Sequence, residues 1–227
     1  MRTKYERTYH FPWSEGTTSD DRFLETTEHL INEEIVITEK LDGENSGITK
    51  KGAYARSHAA FTTNAWAEMV RNLQASLSNS LNDDEFLFGE NMEGIHSLEY
   101  RNLKKPFYLF NVAIRKEDGF YFQSWDTIVE YSKILNLELV PVLFRGTVGS
   151  EKELKELTLD LLNVRSVLEP YDVKSGGKVN MEGLVARRTC EFKSDMFKIY
   201  AGKWVRKNHV KTDEHWTRNW QRADIKW

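Results

Sequence analysis

The apolar positions of this chain switch repeatedly between a period of two and a period near 3.6. Ile35, Val36 and Ile37 form an unbroken β-branched run, which predicts a strand entering a core. The stretch over residues 35–48 reads IVITEKLDGENSGI. Glu39 and Lys40 close its strand, Asp42-Gly43 predicts a hairpin turn, and an extended pattern resumes at residues 46–49. Residues 22–32 suit a short helix leading in, and residues 52–58 (GAYARSH) a further strand carrying Arg56. Over residues 64–81, Trp66, Met69, Val70, Leu73 and Leu77 recur on one face of a core-facing helix. Strands are then predicted at 85–90 (EFLFGE), 107–114 (FYLFNVAI), 120–123 and 137–144, with a turn at Asp118-Gly119 and a helix over 125–135. Ser150 and Glu153 make a capping box for a helix running to about Leu168. Residues 171–178 read as a loop, and residues 181–188 and 196–200 as two more strands. Many strands with a few intervening helices predict an α+β fold of largely antiparallel sheets flanked by helices. No repeat or linker interrupts the pattern, so residues 1–227 read as a single domain.

Composition removes several function classes. The chain has 227 residues, 40% of them apolar, enough for one sizeable core. A net charge of -3 means that no global basic field exists, so a polyanion would be bound by a local patch. Cys190 is the only cysteine, which excludes an intrachain disulfide and a Cys-rich zinc site. The opening residues carry no apolar run that would make a signal peptide, and no stretch reaches the length of a membrane span. The expectation is a cytoplasmic protein with no membrane contact and no evident protein partner. Gly177-Lys178 lacks the glycine spacing and the Ser/Thr of a P-loop, and the chain contains no HExxH and no Gly-x-Ser-x-Gly. Gly146–Gly149 reads as an ordinary strand-to-helix turn, and His209 and His215 as surface or packing residues.

What remains is an ordered series of charged residues at predicted strand ends. Lys40-Leu-Asp-Gly43 resembles the nucleophile motif of the covalent nucleotidyltransferases, the superfamily of polynucleotide ligases and mRNA capping enzymes. Phe88-Gly-Glu90 resembles the third motif of that superfamily, with 107–114 as the aromatic strand that follows it. Glu182-Gly-Leu-Val185 is similar to the fourth motif, and Phe197-Lys-Ile-Tyr200 stands in the place of the fifth. The resemblance spans about residues 35–203 and is closest to the RNA ligase 2-like branch of the ATP-dependent RNA ligases, where an asparagine follows the motif as Asn45 does here.

The resemblance implies a nucleotidyltransferase domain and a chemistry that needs these residue types. Lys40 would attack the α-phosphate of ATP and form a lysine–AMP adduct. At pH 7 a free lysine is about 4.6 kcal/mol from its neutral form, so desolvation and neighbouring cations must lower that cost. Lys198, Lys203 and a bound Mg²⁺ (or Mn²⁺) would supply positive charge. Glu182 and Glu90 would hold the metal, Glu90 alternatively the ribose. Phe110 would stack on the adenine, which Glu39 also approaches; Arg56 would contact the ribose or a nucleic-acid 5′-phosphate, and Asn45 the nucleotide or nucleic-acid end. AMP would then pass to the 5′-phosphate of a polynucleotide, RNA being favoured, and a 3′-OH would displace it.

Two features depart from the superfamily pattern. The fifth motif often carries two lysines one residue apart; here Tyr200 takes the second place and the next lysine is Lys203. After Lys203 only the basic, Trp-rich tail 204–227 follows, with no arginine-rich sixth motif, which favours a compact RNA ligase over a DNA nick ligase or a GTP-dependent capping enzyme. The tail's cations and tryptophans suit a nucleic-acid backbone and its bases, or else an amphipathic helix packing Trp216 and Trp220 on the domain. A nucleotidyltransferase fold that only binds nucleic acid is the third alternative, and it has no need of a nucleophilic lysine.

Overall fold

The computed structural model describes residues 4–16, 21–56, 60–207 and 219–226. Within them the chain forms β1 (Tyr9–His10), β2 (Glu34–Lys40), β3 (Glu44–Thr49), β4 (Gly52–Ala55), helix α1 (Glu68–Leu77), β5 (Glu85–Asn91), β6 (Leu98–Tyr100), β7 (Phe107–Lys116) and β8 (Gly119–Phe122). Helix α2 (Trp125–Ile134), β9 (Glu138–Leu139), β10 (Val142–Thr147), helix α3 (Glu151–Leu161), β11 (Pro170–Asp172) and β12 (Gly177–Lys178) follow. The chain continues with β13 (Gly183–Arg188), β14 (Phe192–Lys193), a one-turn helix α4 (Phe197–Tyr200) and β15 (Ala201–Val205). The expected α+β class is borne out, with strand pairs antiparallel except β1 with β15 and β7 with β9.

Two large sheets carry the architecture. One runs β1-β15-β13-β2-β10 and the other β14-β8-β7-β5-β3-β4, with β9 beside β7. Ile35, Val36 and Ile37 are completely buried, as expected of a strand covered on both faces. Ile35 and Ile37 pack with Leu154 of α3, while Val36 joins the larger core with Val70 and Leu77 of α1 and Ile128 of α2. Helix α2 starts at Ser124, whose hydroxyl accepts from Thr127 N–H at 3.2 Å. Ser150 caps α3 in the same way, accepting from Glu153 N–H at 3.2 Å. The Glu153 carboxylate reaches back to Gly149 N–H at 2.7 Å, so the Gly146–Gly149 turn is ordinary capping, as expected.

Several expected elements take another form. Asp42-Gly43 is not a hairpin: β2 pairs with β10 and β13, whereas β3 pairs with β4 and β5. The dipeptide carries the chain from one sheet to the other. Asp42 fixes that crossing, its Oδ2 accepting from Ser97 N–H, Ser97 O–H and Leu98 N–H at 2.8–2.9 Å. The helix expected over 22–32 is a single turn at Glu28–Leu30, because the strand-pairing of this segment with β1 takes over at Phe23. Helix α3 ends at Leu161, since Ser166 beyond it donates from its hydroxyl to Glu39 and from its N–H to Asn180 O. Residues 171–178 form a small hairpin of β11 and β12 rather than a loop. Residues 197–200, expected as a strand, form α4.

The described part of the tail, residues 219–226, is extended and lies on the domain. Ala223 N–H donates to Glu93 O and Lys226 N–H to Leu103 O, and Ala223 and Ile225 are buried. Arg222 pairs with Glu68 and with the fully buried Glu93, and Trp220 lies 6.4 Å from Trp66. His209, His215 and Trp216 lie outside the described residues. Among the described residues no helix is long and apolar enough to cross a membrane.

Candidate functional site

The two large sheets enclose a cavity of about 400 Å³. That volume lies within the range of small-molecule sites. One wall comes from β2, β13 and β15. Strand alternation puts Thr38 and Lys40 of β2 on the same face, and Val185 is paired both to Thr38 and to Lys203 of β15. Lys40 is paired with Gly183, which brings the adjacent Glu182 to its side: Lys40 Nζ is 2.5 Å from Glu182 Oε1. Gly183 lets β15 approach, because a side chain there would overlap the Trp204 carbonyl oxygen. The expected Glu-Gly pair thus combines a carboxylate ion-paired to Lys40 with a close-packed backbone.

The opposite wall comes from β3, β5 and β7. Asn45 and Glu90 are paired across β3 and β5, and both line the cavity. The β5–β7 register shifts by one residue between Phe88 paired with Asn111 and Gly89 paired with Leu109. Phe110 is the extra residue of this bulge, and its ring lines the cavity. Bulges of this kind re-aim a side chain beside a site. Gly89 is required there, because a methyl group would clash with the Phe107 ring and lie 2.6 Å from Tyr108 O. Arg56, just beyond β4, donates from Nε to Tyr5 O at 3.2 Å and completes this side.

Lys198 departs from expectation. It is exposed on α4 and does not line the cavity, because the helical turn buries Phe197 against Tyr5 and Phe122 and sends its neighbour outward. Lys203 is the late lysine that the fold brings to the cavity.

The cavity is electrostatically divided. Burial pushes the Glu90 carboxyl up to about 8, with Lys40 opposing and Glu182 and Asp42 adding to the rise. Burial pushes Glu39 up to about 7 despite the 2.7 Å hydrogen bond from Ser166 O–H. Burial works to lower the Lys40 pKa, but Glu182, Glu90 and Asp42 outweigh it and hold the ammonium above its ordinary value. The carboxylates therefore set the charge of Lys40 here, and not the neighbouring cations anticipated from sequence. Lys203 is pushed down to about 8 by burial and then by Lys40. Among the described residues no three His, Cys, Asp or Glu side chains gather as a metal cluster. A hard cation bound through one or two carboxylates and a phosphate needs no such cluster, and the incompletely compensated Glu90 beside Glu182 suits one.

Tyr5 and Arg187 also line the cavity and are not among the residues expected from the sequence. Tyr5 packs edge-on to Phe110 with centroids 5.2 Å apart, and its hydroxyl accepts from Asn111 Nδ2 at 3.2 Å. Arg187, buried in β13, donates to Asn111 Oδ1 and Gln123 O, each at 2.7 Å. This network braces the Phe110 bulge from behind. Strand alternation from Val185 could have placed Arg187 on the cavity face; nothing in the aperiodic N-terminal segment marks Tyr5.

The match to the RNA ligase family covers residues 33–205. No curated protein matches the chain in sequence. In structure it resembles a Naegleria gruberi RNA ligase with PPi, at a TM-score of 0.55 and 19% identity over 89% of this chain and 59% of that one. It also resembles a mutant of that ligase with ATP and Mn, at a TM-score of 0.53 and 19% identity over 89% of this chain and 59% of that one. A putative ATP-dependent DNA ligase from Aquifex aeolicus is similar at a TM-score of 0.53 and 19% identity, over 89% of this chain and 49% of that one. The chain thus spans about three fifths of the Naegleria ligase's length. The family match runs from just before β2 to the end of β15, through Lys40, Glu90, Glu182 and Lys203 alike, and on that match the chain belongs to the RNA ligase family.

Proposed function

We propose that this chain is an ATP-dependent RNA ligase whose single nucleotidyltransferase domain acts in the cytoplasm on RNA with 5′-phosphate and 3′-OH ends. The observation that carries the reading is Lys40 Nζ held 2.5 Å from Glu182 in a cavity with Phe110 in one wall and Lys203 in the other. Lys40 Nζ, having released its ammonium proton to solvent, attacks the α-phosphorus of ATP as the neutral amine, the bond to the bridging oxygen breaks, pyrophosphate leaves, and a lysyl-AMP phosphoramidate remains. AMP passes to the 5′-phosphate of the polynucleotide, and a 3′-OH attacks that activated phosphate and releases AMP.

Each side chain has a part that its position supports. Phe110 offers the adenine an aromatic face. Asn45, whose buried Oδ1 has no hydrogen-bond partner among the described residues, is ready to accept from a bound group. Lys203 and Arg56 supply charge for phosphates. Glu182 and Glu90 would hold Mg²⁺ or Mn²⁺, which when bound would draw negative charge away from Lys40 and shield the phosphates. A mutant of the Naegleria ligase holds ATP and Mn, which supports the same ligands here.

The test is incubation with Mg²⁺ and ATP or GTP labelled at the α-phosphate, read on a denaturing gel, followed by sealing of nicked duplexes with RNA or DNA at the 3′-OH side. Label from ATP and sealing of RNA ends are expected. Label from GTP alone would redirect the reading to capping, sealing of DNA alone to a DNA nick ligase, and no adduct from folded protein would end it.

A further inference from the structure

The N-terminal segment, outside the family match, packs directly on the strand that carries Lys203. β1 lies parallel to β15 with His10 in register with Lys203, and Phe11 N–H donates to Lys203 O at 2.8 Å. Asp21 follows from the same segment and enters the cavity wall, its Oδ1 3.8 Å from Lys203 Nζ. Behind Asp21 stands His10, 1% exposed, with Nε2 at 3.2 Å from the same oxygen.

Ser14 holds the ring of that histidine: its Oγ accepts from Val205 N–H at 3.0 Å and lies 2.8 Å from His10 Nδ1. The other ring nitrogen, Nε2, faces Asp21. Asp21 Oδ1 is therefore placed between a cation in the cavity, Lys203, and the imidazole of His10 behind it. A carboxylate oxygen on an ammonium inside an anion-binding cavity occupies the place a phosphate oxygen would take.

We propose that Asp21 is a displaceable counter-ion for Lys203: it sits on the ammonium in the nucleotide-free cavity, and a triphosphate displaces it toward His10. This rests on the reading of the cavity as an ATP site. The carboxylate competes with the incoming phosphates, and His10 keeps it within reach, so the lysine is never left without a partner. The N-terminal segment thereby tunes affinity for the phosphate chain while leaving adenosine contacts untouched.

The test is equilibrium binding of ATP and of adenosine to the full chain in EDTA, for the wild type, Asp21→Asn, Lys203→Met and the double variant. Asp21→Asn is expected to tighten ATP binding about threefold to tenfold, the range of one partly buried ion pair, and to leave adenosine binding unchanged. In the Lys203→Met background the same substitution should change ATP binding little. Weaker ATP binding by Asp21→Asn, or tightening of equal size without Lys203, would overturn the proposal, the latter by showing a general field effect. Unchanged adenosine binding checks that each variant is folded. A folded wild type that binds neither ATP nor adenosine would instead refute the ATP-site reading itself.

Discussion

Replacing Glu39 by Gln isolates the cost of burying a carboxylate directly beside the lysine. Glu39 is 1% exposed, its Oε2 accepts from Ser166 O–H at 2.7 Å, and its Oε1 is buried with no hydrogen-bond partner among the described residues. Burial raises its pKa to about 7, with Ser166 opposing and Glu182 adding to the rise. A carboxyl whose folded pKa lies above its unfolded value binds more protons when folded, so its contribution to stability is fullest below the unfolded pKa and is lost as pH rises through about 7. The displacement from 4.5 to about 7 corresponds to a loss of about 3 kcal/mol between pH 4.5 and pH 8, at 1.36 kcal/mol per pH unit. Glutamine keeps the acceptor for Ser166 and cannot ionise. Its amide nitrogen enters the place of Oε1 unsatisfied, at a pH-independent cost of about 1–3 kcal/mol. The diagnostic is therefore the change with pH and not the absolute stability. Melting curves of both proteins at pH 5, 6, 7 and 8 should show the Tm difference moving in favour of Glu39→Gln by about 5–10 °C across that range, which holds about 2.5 kcal/mol of the loss. A difference that stays constant, or moves against the variant as pH rises, would refute the reasoning.

Three further outcomes are expected. Phe110→Ala removes the stacking face and should weaken nucleotide binding by about 1–3 kcal/mol, while Phe110→Trp retains most of it, as measured by ATP titration. Gly89→Ala forces a methyl group against Phe107 and Tyr108 O and should destabilise the fold by about 1–3 kcal/mol in urea unfolding, displacing Phe110 and slowing adenylylation as well. Glu182→Gln removes the ion pair to Lys40 and a metal-side carboxylate, and single-turnover labelling with ATP should fall by about a hundredfold or more with circular dichroism unchanged.

The parts of the fold that were legible in the sequence are those set by local chemistry. The Ile35–Ile37 run, the helical stripe from Trp66 to Leu77 and the Ser150–Glu153 cap each encode a period or a hydrogen bond within one segment. The misreadings share a different cause. Asp42-Gly43 has hairpin chemistry, yet partner choice depends on β10, β13, β4 and β5, which lie far away in sequence. Phe197–Tyr200 is too short for a period of two and a period of 3.6 to be told apart, so Lys198 was placed on a strand that begins only at Ala201. The same short turn explains why Lys203, and not Lys198, faces the cavity. Tyr5, His10 and Asp21 come from an aperiodic segment whose role depends on its docking along β15. The order Lys40, Glu90, Glu182 was readable only through the resemblance to the motifs of a family; Lys40 and Glu90 line the cavity, and Glu182, outside its lining, is ion-paired to Lys40.

The most direct test of the account is to place the AMP. Protein incubated with ATP and Mg²⁺ is digested at neutral pH, to preserve an acid-labile phosphoramidate, and mapped by tandem mass spectrometry. The account predicts AMP on Lys40 and its absence from a Lys40→Arg variant that melts like the wild type. AMP on Lys203 or another lysine, or an adduct that survives the loss of Lys40, would contradict it.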